Sequence, residues 1–107
     1  MAEYIQLQIT FPALEEAQEV AAFLVESKLA ACAQVIPGVQ SRYVWQGETC
    51  ESAEVLLLCK TRSALFTCVA AEISSRHSYD CPQIVGVPLD FISSSYAKWL
   101  DENIRNG

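Results

Sequence analysis

The stretch His77-Ser78-Tyr79-Asp80-Cys81 brings an imidazole, a carboxylate and a thiol within five residues, and His77 is the only histidine in the 107-residue chain. Thiolate with imidazole suits copper(I), and imidazole with carboxylate suits copper(II). His77 and Asp80 are therefore candidate metal ligands. A second reading stands beside this one: at a helix end, a partly charged imidazole satisfies the last carbonyls. Four more cysteines stand at 32, 50, 59 and 68. Cys59 and Cys68 fall in apolar strand and helix patterns and are expected in the core. Cys50 falls near a hairpin tip, where an exposed thiol would meet metals or oxidants. Lys60 interrupts an apolar strand. With Arg62 and Tyr79 it could line a polar cleft between subunits for a small anion or carboxylate; alternatively its stem simply runs along the sheet to water. Trp45 and Trp99 read as packing anchors.

Other chemistries are excluded by what is missing. Five cysteines at irregular spacing contain no CxxC, so neither a zinc ribbon nor a thioredoxin motif is present. Free thiols in a reducing cytoplasm are the expectation, and the opening Met-Ala-Glu-Tyr is not read as a signal peptide. There is no GxSxG and no glycine-rich phosphate loop, so no enzyme is expected. A Cys–His pair drawn from five cysteines carries no weight. The net charge of −6 makes nucleic acid a poor partner; it is compatible with cations, but plain solubility accounts for it better. The hydrophobic fraction is 51%. Yet no uninterrupted apolar run, Val55-Leu56-Leu57-Leu58-Cys59 among them, comes near the roughly 18 residues of a membrane span. The surplus apolar surface points to self-association.

The elements that must position these residues follow from periodicity. Residues 3–10 alternate strictly, with Ile5, Leu7 and Ile9 on one face: a half-exposed strand. Pro12 suits a helix first turn, and Leu14, Ala17, Val20, Ala21, Leu24 and Lys28 recur at helical spacing. Residues 29–46 are strand-forming, interrupted only by Pro37-Gly38. Gln46-Gly47-Glu48 is a turn, and a second strand over residues 54–62 makes a hairpin. Residues 63–76 form a helix with Phe66, Val69, Ala70 and Ile73 as its buried stripe. Residues 83–89 form an edge strand carrying a proline, and residues 93–103 a last short helix. One domain, 1–107, is expected, of α+β class: a ferredoxin-like βαββαβ sandwich with an extended hairpin and a C-terminal helix.

The hairpin is too long for such a domain. Residues 29–36 already supply a strand of ordinary length, so residues 39–45, and 49–53 opposite, project as a two-stranded arm. Such an arm is barely stable alone. This one carries Val39, Tyr43 and Trp45 on one face, the expected interface with another copy.

Lys28-Leu29-Ala30-Ala31-Cys32, Ile36-Pro37-Gly38-Val39 and Tyr43-Val44-Trp45-Gln46-Gly47 resemble the CutA divalent-cation tolerance family. So do Glu54-Val55, Lys60-Thr61-Arg62, His77-Ser78-Tyr79-Asp80-Cys81-Pro82, Tyr96 and Trp99-Leu100. The resemblance implies a ferredoxin-like protomer in a homotrimer whose hairpins extend a neighbour's sheet, an architecture similar to PII-type signalling trimers. It implies a role in tolerance of metal ions, with copper the usual one or another divalent cation in its place, and no tightly bound cofactor. It also matches Cys32 to the family cysteine, making it a third candidate metal ligand; the alternative is a small buried strand residue. Family sequences usually carry Pro where Ser78 stands. Positions where some bacterial members are proposed to use Cys and His hold Ile9 and Arg76 here, leaving His77. The rival readings are a PII-like trimer binding a small anion and a non-enzymatic protein scaffold.

Overall fold

The strict alternation at the start of the chain becomes β1 (Tyr4–Phe11) in a computed structural model that describes residues 2–107. Leu7, Ile9 and Phe11 on its inner face have no exposure. Helix α1 (Leu14–Glu26) follows, with extended Ala13 as N-cap and Glu15 and Glu16 in the first turn, where the helix dipole favours them. It buries Ala17, Val20 and Leu24. Pro12 precedes the cap rather than opening the helix. Lys28, at a left-handed φ of 61°, ends the helical path, and Leu29 and Ala30 both return their N–H groups to the Leu24 carbonyl. Strand spacing predicts β2 from residue 29; it starts three residues later, at Cys32. Leu29 and Ala30 form a buried connection, pinned where the Thr61 hydroxyl donates to the Leu29 carbonyl at 2.6 Å.

β2 (Cys32–Trp45) and β3 (Glu48–Arg62) form the long hairpin. Gln46 and Gly47 join them with φ of 50° and 81°, the doubly left-handed turn whose twist matches its strands. The pairing slips once. Ile36 faces Leu56 and Val39 faces Glu54, so β2 spends one extra residue at Pro37-Gly38, and Gly38 takes the left-handed φ of 82°. This bulge reverses parity. Before it, Ala33 and Val35 pack against the core. After it, Val39, Ser41, Tyr43 and Trp45 oppose Glu54, Ser52, Cys50 and Glu48 on the outer side of the sheet.

A 3-10 turn (Ser63–Leu65), α2 (Phe66–Arg76), β4 (Ile84–Pro88) and α3 (Ser94–Asn103) complete the chain. The sheet order is β2-β3-β1-β4, with every pair antiparallel. This is the expected α+β, ferredoxin-like arrangement. Leu7, Ile9, Leu57, Leu24, Val69 and Ile73 form its core, each side chain contributing about 1.5–3 kcal/mol by leaving water.

Two expectations need correction. A sandwich of this kind is expected to carry its helices on one sheet face and leave the other open, but α3 folds back on one end of that outer face: Asp101 accepts from the Tyr4 hydroxyl at 3.1 Å and from Arg62 at 3.0 Å. Cys68 is exposed, unlike Cys59. It precedes Val69 by one residue, and a step of about 100° along a 3.6-residue helix takes it off the buried stripe.

Candidate functional site

One polar cluster lies where the arm leaves the sheet. α2 ends at Arg76, and His77 turns into extended backbone. The His77 side chain is fully buried and stacks on Phe11, with ring centroids 4.4 Å apart. Nε2 lies 2.7 Å from the Thr10 carbonyl, and Nδ1 accepts the Tyr79 N–H at 3.0 Å. A ring donating at one nitrogen and accepting at the other is the neutral Nε2–H tautomer. Glu16 of α1 approaches Nδ1 at 3.6 Å and accepts from both the N–H and the hydroxyl of Ser78. Tyr79, held by His77, donates its hydroxyl to Glu54 at 2.9 Å. Burial and then this carboxylate push the Tyr79 hydroxyl up to about 12. Glu54 is itself only 7% exposed. On the same side of the ribbon the Tyr43 hydroxyl meets Ser52 Oγ at 3.1 Å.

The three candidate metal ligands are not brought together. Among the described residues, no group of three or more His, Cys, Asp and Glu side chains could hold an ion. The one lone pair His77 could offer a metal is already used by Tyr79. Cys32 pairs with Lys60, whereas His77 bonds Thr10, which pairs with Leu56. Four residues along β3 is about 13 Å at 3.3 Å each. Cys32 instead lies beside Tyr96 of α3, whose hydroxyl pKa is raised by burial and then by that thiol. Asp80 and Cys81 are exposed on the loop. The buried Cys59 thiol is pushed up to about 12 by loss of solvent, which keeps it protonated and inert.

The proposed polar cleft is likewise divided. Arg62 is spent inside the chain: its guanidinium donates to the carbonyls of Asp101, Ile104 and Arg105 and to the carboxylates of Glu3 and Asp101. It caps the C-terminal end of α3, where a cation is favoured. Tyr79 works at the opposite end of the sheet. Among the described residues the Lys60 ammonium reaches only Gln34, at 3.4 Å. Sequence reasoning missed Glu16, Thr10 and Glu54. A carboxylate opening the apolar run 54–59 was a signal for Glu54; nothing local marked the other two.

The arm residues stand uncovered in the single chain. Tyr43 is 41%, Val44 69% and Trp45 54% exposed. Trp45 is therefore no anchor within its own protomer, and Trp99 is 42% exposed, stacked at 5.5 Å on Tyr96.

Comparison with known proteins agrees with this fold. The family model described as CutA1 divalent ion tolerance protein matches residues 5–103. A divalent-cation tolerance protein CutA of Thermus thermophilus is 42% identical over 95 residues, covering 89% of this chain and 92% of its own. The solved Cut A1 structure from that organism superposes with a TM-score of 0.92 at 39% identity, over 95% of this chain and 99% of the other. The crystal structure of CutA1 from Oryza sativa gives a TM-score of 0.95 at 31% identity, over 99% and 97%. The chloroplastic protein CutA of Arabidopsis thaliana is 34% identical over 102 residues, which are 95% of this chain. This chain spans only 56% of that relative's length.

Proposed function

Because the chain belongs to the CutA1 divalent ion tolerance family, we propose that it serves divalent metal-ion tolerance or response as a homotrimer without catalytic chemistry. The observation that carries this is the uncovered arm. A ribbon of two strands is unstable in water by itself, yet here it presents Tyr43, Val44 and Trp45 to solvent. Val39, Tyr43 and Trp45 share one side of it. Another copy of the chain is the partner that would cover them. A free-thiol inventory of five suits a reducing, cytoplasmic setting. Among the described residues no helix is long and apolar enough to cross a membrane.

Metal contact in this reading is weak and exchangeable, with copper the first ion to test. His77 is committed to holding Tyr79, so of the candidate ligands Asp80, with Cys81 beside it on the loop, and Cys32 on the outer sheet face are left to meet a cation. A second reading, a PII-like trimer taking a small anion, is supported by Lys60, a half-buried cation that among the described residues reaches only Gln34. Size-exclusion with light scattering over a dilution series tests the assembly; a monomer at every concentration would sink it. Calorimetry of the reduced protein against copper, zinc and a panel of nucleotides tests the ligand. Heat from copper that is lost at low pH supports the metal role, since its donors must be deprotonated. Heat from a nucleotide alone supports the second reading.

A further inference from the structure

Glu54, Leu56, Leu58 and Lys60 alternate along β3 and so share the outer side of the sheet. The stripe is polarised: a carboxylate at one end, two half-buried leucines between, an ammonium at the other. Neither charge is compensated. Glu54 is 7% exposed, and its Oε2 takes the Tyr79 hydroxyl. Among the described residues no cation pairs with it. Lys60 is half-buried, and among the described residues no carboxylate lies within ion-pair distance of it. Arg42, Arg62 and Arg76 are already in ion pairs, and the other basic residues are exposed. A buried carboxylate without a counter-charge is costly. Yet Glu54 and Lys60 cannot meet within one chain, since six residues of strand hold them about 20 Å apart.

We propose that Glu54 of one copy receives Lys60 of the next, and that this pair fixes the register of a head-to-tail contact along the stripe. This rests on the homotrimer reading above. A surface with opposite charges at its two ends is complementary to itself only when each copy offers its acidic end to the basic end of its neighbour. In the homotrimer read above the contact is heterologous, and such contacts close into a ring when the rotation between copies closes. The leucines between the charges supply apolar burial, and the charges exclude a slipped or inverted docking, because like-charge juxtaposition is disfavoured. The Tyr79 hydroxyl, itself aimed by His77, positions the receiving carboxylate.

The test is a charge-exchange cycle: wild type, Glu54→Lys, Lys60→Glu and the double exchange, each followed by light scattering in graded urea with far-UV circular dichroism on the same samples. At a fixed urea concentration, each single change should raise the protein concentration at which half the chains are trimeric at least about tenfold. The double exchange should return it to within about threefold of wild type. A double exchange no better than the two single losses added together overturns the pairing. If a charge reversal prevents folding, Glu54→Gln and Lys60→Gln replace it in the same cycle, and strictly additive losses again overturn the pairing. A wild type that is monomeric throughout defeats the homotrimer reading itself, an outcome distinct from a trimer whose losses are additive.

Discussion

β3 is one unbroken strand living in two environments. Its C-terminal half lies between β1 and β2, and Leu57, Cys59 and Thr61 have no exposure. Its N-terminal half has β2 on one side and nothing on the other, because β1 ends opposite Val55. There Glu48, Thr49, Glu51 and Ala53 are exposed. Backbone conformation and hairpin pairing are the same in both halves, so local structure does not distinguish them. The difference is what lies above the pleat: two helices and a core in one case, solvent in the other. The molecule measures 44 × 25 × 23 Å, its long axis being the excess of hairpin over body. One half is stabilised by its own chain; the other is the half that the homotrimer proposed above would cover.

The largest effect should come from breaking the uncovered half. Truncating a buried aromatic to Ala typically costs about 3–5 kcal/mol. If the arm is covered in an assembly, the pair Tyr43→Ala and Trp45→Ala should lose most of that at every copy-to-copy contact. The particle should shift toward monomer, and melting should become steeply concentration-dependent. Sedimentation or light scattering at low micromolar protein reads this directly. An unchanged trimer with an unchanged melting point would mean the arm holds nothing.

The covered half should fail differently. Leu57→Ala removes a side chain with no exposure and should cost about 2–5 kcal/mol. Its loss should be equal at all protein concentrations, because the damage lies within each protomer. Denaturant melts at two concentrations a hundredfold apart separate the two signatures.

At the junction of the halves, His77→Ala removes the acceptor for the Tyr79 N–H and the donor to the Thr10 carbonyl. Leaving such buried groups unsatisfied should cost about 1–3 kcal/mol. The expected readout is a lower melting point with copper heat little changed, since the ring's free lone pair is already used. A tenfold or greater loss of copper affinity instead would show that the loop opens to let His77 bind the ion.

Element order, the hairpin turn and the arm were legible in the chain because each rests on local rules: alternation, helical spacing, paired left-handed residues at Gln46-Gly47. The surplus length of the hairpin was visible for the same reason. Cys68 was misjudged because an apolar helix pattern does not by itself say where its buried stripe ends. Leu29 and Ala30 were read as strand because their burial comes from a helix end and from Thr61, a contact 32 residues away in the chain. The candidate site was harder. His77, Arg62 and Tyr79 stand out by residue type, but their partners are Thr10, the carbonyls at the end of α3 and Glu54, none of which is near in sequence. A residue type announces what it could bind; only the fold shows that its bonds are already taken.

The smallest effect concerns proton release where arm and body meet. The Tyr79 hydroxyl is pushed up from an ordinary 10 to about 12, by burial first and by Glu54 second. Below pH 10 the phenol is neutral in both folded and unfolded chains, and its contribution to stability is fully present. Between pH 10 and about 12 the unfolded chain ionises while the folded one does not, so stability falls, and the contribution is gone once the folded phenol ionises too. Tyr79 is partly open to solvent, so screening should keep the change below about 1 kcal/mol. Burial also raises Tyr4 and Tyr96, so the wild-type curve alone does not isolate it. The difference between wild type and Tyr79→Phe does. Tyr79→Phe should be less stable at neutral pH, having lost the hydrogen bond to Glu54, and the gap should narrow as pH rises from 10 to 12. A gap that stays constant across that interval would mean that neither burial nor Glu54 holds this proton more tightly in the folded chain than in the unfolded one.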